Sequence, residues 1–156
     1  MKITKLSFEV AALCGFTHKI NITYADVIGF TDTVAVQVFP AGTDTLPAGT
    51  VIGKAAFNLI TPFDGGATSG LTMTLGDGGV ANRYITAKEL HLDGTEILFW
   101  EECAATLPYA YVVADAVDAV FDVAGAAITA LTTGEIEIYL QVYDLNEIER
   151  PRGGGA

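Results

Sequence analysis

The chain has 156 residues, 51% of them hydrophobic and 17% charged, which is the length of one domain and too apolar for a disordered body. Eight basic residues face 19 acidic ones, a net charge of −11. Residues 20–149 hold 3 basic and 18 acidic side chains, a formal −15, and a surface of that sign argues against binding nucleic acid through the body.

No apolar run approaches the ~18–20 residues of a transmembrane helix. Thr4, Lys5, Ser7 and Glu9 interrupt any secretory apolar segment after Met1-Lys2-Ile3. The start is basic (Lys2, Lys5, Lys19) and so is the end (Arg150, Arg152).

Taken in chain order, the dominant period is two. Leu6, Phe8, Val10 and Ala12 alternate with Ser7, Glu9 and Ala11, and predict a strand. Residues 1–18 then read as an N-terminal arm or an edge strand. Further alternation at Ile20–Thr23, Val34–Val38, Leu71–Leu75 and Ile136–Tyr143 predicts half-buried strands. Shorter strand-like runs are Ala56–Pro62, Glu96–Trp100, Tyr109–Val113 and Val117–Val123.

Turn chemistry separates these runs, at Pro40–Asp44, Leu46–Gly49, Asp64–Gly66, Gly76–Gly79, Asp93-Gly94 and Thr132–Gly134. Six to nine short strands between turns, with no helical crossovers, predict an all-β fold: an antiparallel β-sandwich, jelly-roll-like, with at most one or two short helices. The helix candidates are Thr86–Leu92, rich in good formers, and Ala124–Leu131, weakened by Gly125. Residues 1–146 form a single domain in this reading. Residues 147–156 carry charge, proline and glycine with almost nothing to bury, and read as a flexible tail.

No catalytic, metal or cofactor site assembles. Cys14 and Cys103 form no CxxC pair and read as buried free thiols. His18 and His91 are isolated. Gly76-Asp77-Gly78-Gly79 lacks the ligand spacing of a calcium loop and the lysine of a phosphate loop, and reads as a tight turn. In a strand, Asp118 and Asp122 face solvent opposite Val117, Ala119, Phe121 and Val123, so Asp115, Asp118 and Asp122 do not make a hydrolase. Glu135 and Glu137 lie likewise opposite Ile136 and Ile138. The only serines are Ser7 and Ser69, and Ser69 lies in a glycine-rich turn rather than a nucleophile elbow. The chain is therefore read as a non-enzyme. Trp100 beside Glu101-Glu102 is read as a core aromatic or a sugar-stacking one. Tyr109, Tyr111, Tyr139 and Tyr143 fall at period-two spacing, and with Tyr139 and Tyr143 opposite Ile138 and Leu140 these tyrosines are read as either a contact face or a face covered by a neighbouring sheet.

Three blocks, Leu46-Pro47-Ala48-Gly49-Thr50-Val51-Ile52, Thr61–Gly66 with Leu71–Gly79, and Leu131–Tyr139, together resemble the small virion structural proteins of tailed bacteriophages. The resemblance covers the middle and last thirds of the chain and rests on strand and turn texture. It implies a β-sandwich or jelly roll that decorates or cements the capsid, often as a trimer. The partners would be the major capsid protein and further copies of itself, at the virion surface after synthesis in the host cytoplasm. No family residue carries over. From composition, Lys2, Lys5, Tyr139, Tyr143, Arg150 and Arg152 are the expected interface residues, with no cofactor. The alternatives are a β-sandwich carbohydrate-binding or adhesion module and a phage neck or fibre protein.

Overall fold

A computed structural model of the protein describes residues 1–91 and 107–145, together with the backbone of 100–102. Among the described residues ten strands alternate with little else, more than the six to nine expected, because short pairings such as Lys2–Lys5 and Tyr109–Ala110 count as strands of their own. In chain order they are β1 (Lys2–Lys5), β2 (His18–Thr23), β3 (Val36–Phe39), β4 (Thr50–Asp64), β5 (Gly70–Gly76), β6 (Ile85–Glu89), β7 (Trp100–Glu102), β8 (Tyr109–Ala110), β9 (Val117–Ala124) and β10 (Thr133–Asp144). One sheet runs β1-β2-β10-β4-β7, with β8 also on β4; the other runs β3-β9-β5-β6. Every strand pairing among the described residues is antiparallel. The orders 2-10-4-7 and 3-9-5-6 are those of a jelly roll, in which the chain passes repeatedly between the two sheets.

Alternation builds the core. In β9, Val117, Ala119, Phe121 and Val123 are buried, while Asp118 is half-buried and Asp122 exposed, as the parity of the sequence predicts. Ile136, Ile138 and Leu140 of β10 meet Ile20, Ile22, Leu71, Met73, Leu75 and Phe121 in one cluster. His18 is half-buried with its ring 4.8 Å from Phe39, which ties β2 to the opposite sheet. Burial and the nearby Lys5 charge lower its pKa.

Three expectations are corrected. Leu6–Ala12 is not a strand: Phe8–Cys14 is a helix, α1, closing the β1–β2 hairpin. Ser7 caps its start by accepting from the Val10 N–H, and Gly15 ends it in the left-handed conformation. Ala11, Ala12 and Leu13 favour helix, and a short alternating stretch carries both periods. Thr86–Leu92 is not a helix: Ile85–Glu89 is strand β6, because pairing with β5 (Met73 opposite Lys88) overrides local propensity. The Tyr109–Val113 run keeps only Tyr109–Ala110 as strand, and Val112 and Val113 stand exposed. Ala124–Leu131 contains a single 3₁₀ turn, Ile128–Ala130. A second helix, α2, spans Tyr24–Val27. Of the predicted Glu96–Trp100 strand, residues 96–99 lie outside the described residues, and Trp100 begins β7.

Thr50 is 2% exposed, and its hydroxyl finds no hydrogen-bond partner among the described residues. Thr50→Val, close in shape, should therefore raise stability by about 1 kcal/mol, and Phe121→Ala should lower it by about 3–5 kcal/mol. Urea unfolding curves check both.

His18 supplies a pH test. Its folded-state pKa is depressed, so its contribution is present above the ordinary histidine value and is lost as pH falls through the folded one. His18→Gln should flatten the stability profile below about pH 6.5, measured by denaturant midpoints across that range.

Candidate functional site

Two regions hold the unusual chemistry. The first is the turn after β5. Gly76 is required there by close approach: a Cβ would sit 2.0 Å from the Val80 carbonyl oxygen. Asp77, next in the chain, is 5% exposed. Its Oδ1 accepts from the N–H groups of Gly79 (3.0 Å) and Val80 (2.8 Å), and its Oδ2 from Arg83 Nε at 2.5 Å. The predicted tight turn is thus present, but it is built around a buried carboxylate.

The network continues inward. The Tyr84 hydroxyl lies 3.1 Å from Asp77 Oδ2 and 2.6 Å from the Tyr111 hydroxyl, which lies 3.2 Å from the Ala116 carbonyl. Two hydroxyl protons serve three contacts that end in two acceptors. The Arg83 guanidinium stacks 3.8 Å over the Tyr109 ring, and Tyr109 meets Tyr111 edge-on at 5.5 Å. Burial works to raise the Asp77 pKa, but donors from Arg83, Val80, Gly79 and Tyr84 outweigh it and hold the carboxyl below its ordinary range. Burial is also the main cause that pushes both Tyr84 and Tyr111 far above the ordinary phenol value. These phenols stay protonated, so they act as struts and not as acids.

Asp115 and Asp118 stand beside this network. Asp115 Oδ1 accepts from the Ala116 N–H at 2.8 Å. Asp118 is pushed up by burial, then by the charges of Asp115 and Asp77. Among the described residues, no group of three His, Cys, Asp or Glu side chains is placed to hold a metal ion.

The second region is the outer face of β10. Lys19 Nζ donates to Glu137 Oε1 at 2.7 Å, and the Tyr139 hydroxyl donates to Glu137 Oε2 at 2.5 Å. Tyr139 packs on Phe16 at 5.9 Å. Tyr143, 47% exposed, lies against Gly53, where a Cβ would meet its ring at 3.1 Å.

Of the expected interface residues, Tyr139 and Tyr143 share this face, but Tyr139 is half-buried and Tyr143 is open. Lys2 and Lys5 are exposed at the two ends of β1, opposite Asn21 and His18. Their spacing of three sends them to opposite sides of the pleat, so the structure does not bring them together. Arg150 and Arg152 lie outside the described residues, as does Cys103; Cys14, expected to be buried, is instead an exposed free thiol, because it ends helix α1, none of whose residues is buried. Sequence reasoning missed Asp77, Arg83, Tyr84 and Tyr111 as a unit. The only signal was one acid within a glycine turn, six and seven residues before Arg83 and Tyr84.

At the opposite end of the sandwich, a shallow groove of about 270 Å³ is walled by Thr23, Thr61, Thr132 and Thr133, with Tyr24 and Glu135. The Met1 ammonium pairs with Asp26 near it, and Asp26 also accepts from the Thr23 N–H and hydroxyl, both at 2.9 Å.

Asp77 and Asp118 have opposite pH signs. The depressed Asp77 contributes stability above the ordinary carboxyl value and loses it as pH falls through its folded pKa. The raised Asp118 costs stability at neutral pH and recovers it on protonation. Asp77→Ala should cost about 1–3 kcal/mol at pH 7 by removing the acceptor of the Gly79 and Val80 N–H groups and the Tyr84 hydroxyl, with the deficit shrinking below about pH 4. Asp118→Asn should raise neutral-pH stability by less than about 1 kcal/mol, solvent screening keeping it small. Chemical unfolding at several pH values separates the two.

No protein-family model matches the chain, and no curated protein matches it. The fold is similar to that of a chain in a solved structure, the cyanophage Pam1 capsid asymmetric unit. The TM-score is 0.54 at 22% identity, over 80% of this chain and 80% of that one.

Proposed function

We propose that the protein is a structural component of a phage virion, and within it a decoration or cement protein on the outside of the capsid shell. One observation carries the reading: the jelly roll is shared over most of both chains with a component of a cyanophage capsid. The sequence texture reached the same class by a separate route.

The mechanism is mechanical. A sandwich whose core crosses both sheets is stiff. Bound across the gaps between shell subunits, it would bury apolar surface worth roughly 25 cal/mol per Å² before the cost of association. Binding the assembled shell and not its free subunits would stabilise the shell by mass action. A trimer would contact the shell several times at once and convert weak contacts into lasting attachment. Lys2, Lys5, Tyr139, Tyr143, Arg150 and Arg152 remain the proposed contact residues. The proposed partners are the major capsid protein and further copies of this chain, with no chemical step.

The test is co-sedimentation of the purified protein with assembled shells of its phage and, separately, with unassembled capsid protein. Binding to shells alone, accompanied by a higher shell disruption temperature, is expected. Failure to bind shells would overturn the reading. Exchanging Lys2, Lys5, Arg150 and Arg152 for Glu should weaken binding at least tenfold with the fold intact by circular dichroism; unchanged binding would remove those four residues from the contact.

A further inference from the structure

One end of the sandwich gathers most of the exposed apolar surface. Helix α1 buries none of its residues: Phe8 is 84%, Val10 46% and Leu13 89% exposed. Glu9 is its only charged residue. A helix apolar nearly all round belongs in an interior, and seven residues are too few for a helix to persist on propensity alone. At the same end, beyond β8 and β5, Val112 is 82%, Val113 66% and Val80 42% exposed. His18 opposite Leu140 and Thr50 opposite Asp144 mark this end in one sheet, and Gly76 opposite Asp118 in the other; the His18 ring on Phe39, the Tyr111 N–H on the Thr50 carbonyl and the Tyr84–Tyr111 hydroxyl contact bring the two together.

The two halves of this end differ in charge. Exposed Lys5 stands at the base of α1. The valine half is flanked by the half-buried carboxylates of Asp115 and Asp118, with Asp115 within 3.2 Å of where a Gly78 Cβ would lie.

We infer that α1 of one copy seats on the valine patch of the next, with Lys5 facing Asp115 and Asp118, so that copies of the chain assemble through this end. Charge complementarity selects a second copy as the occupant, since each half supplies what the other lacks. A head-to-tail contact of this kind closes into a ring when the rotation permits. A seven-residue helix, about 10 Å long, is too small to supply by itself the ~800 Å² per partner of a stable contact, so helix and valine loops must engage together. This contact would be the one that holds the trimer proposed above, but it does not depend on what the trimer binds.

The experiment is sedimentation velocity from about 1 to 100 µM on the full chain. The wild type should assemble. Phe8→Asp with Leu13→Asp, and separately Val112→Asp with Val113→Asp, should each weaken assembly at least tenfold. Ile60→Asp, toward the opposite end, should leave it unchanged. Lys5→Glu should weaken assembly, and adding Asp118→Lys should restore it. A wild type monomeric throughout, or patch variants that assemble as the wild type does, would overturn the inference. Shell binding is scored separately. A monomer that still binds shells sinks this inference and spares the proposed function, whereas assembly through this end without shell binding does the opposite. Patch variants that stay assembled but lose shell binding would make this end the shell-facing surface, and would also overturn it.

Discussion

A carboxylate enclosed between two sheets must be neutralised by donors arriving from several directions, and Asp77 meets that requirement at the open end of the sandwich. Two backbone N–H groups, a guanidinium and a phenol converge on it. Each donor in turn fixes its own segment. Arg83 is held over Tyr109, which anchors β8; Tyr84 reaches Tyr111, which reaches the start of β9 through Ala116. The turn after β5, the loop before β9 and the short β8 are thus tied to one charge. Where loops would otherwise be loose, a polar network sets the outline of the surface.

Period-two alternation made most of the architecture legible. The core and solvent faces of β9 and β10 follow directly from Val117–Val123 and from Ile136, Ile138 and Leu140. Alternation failed where local and distant forces disagree. At residues 8–14 a cap at each end and good helix formers outweigh a short alternating pattern; at 85–89 pairing with β5 outweighs helix-forming side chains. The Asp77 network was illegible for another reason. Its members come from three segments, and nothing in linear spacing announces that Tyr84 and Tyr111 meet 27 residues apart. Lys2 and Lys5 were legible as a basic pair but not as residues on opposite faces, because that follows from β1 being a strand.

The charge of −11 acquires a layout once the fold is known. The outer face of β10 spends part of it internally, with Glu137 shared by Lys19 and Tyr139. The end bearing Asp115 and Asp118 leaves more of its charge unspent, and burial there makes that charge costly. Apolar surface and uncompensated charge therefore coincide at the same end, while the α2 end is quieter, with threonines and an ion pair at Met1. The two ends of the molecule are chemically unequal.

Strand β10 lies between β2 and β4, pairing Ile138 with both Ile20 and Phe57. The first of those pairs spans more than a hundred residues of chain. The sheet cannot close until its last strand exists. During synthesis at ~5–20 residues per second, β1 and β2 must wait for some seconds with one edge open. An open edge is a template for pairing with another chain. The net acidity of the intervening stretch, which makes growing chains repel one another, is then a safeguard for the unfinished protein as much as a property of the finished one.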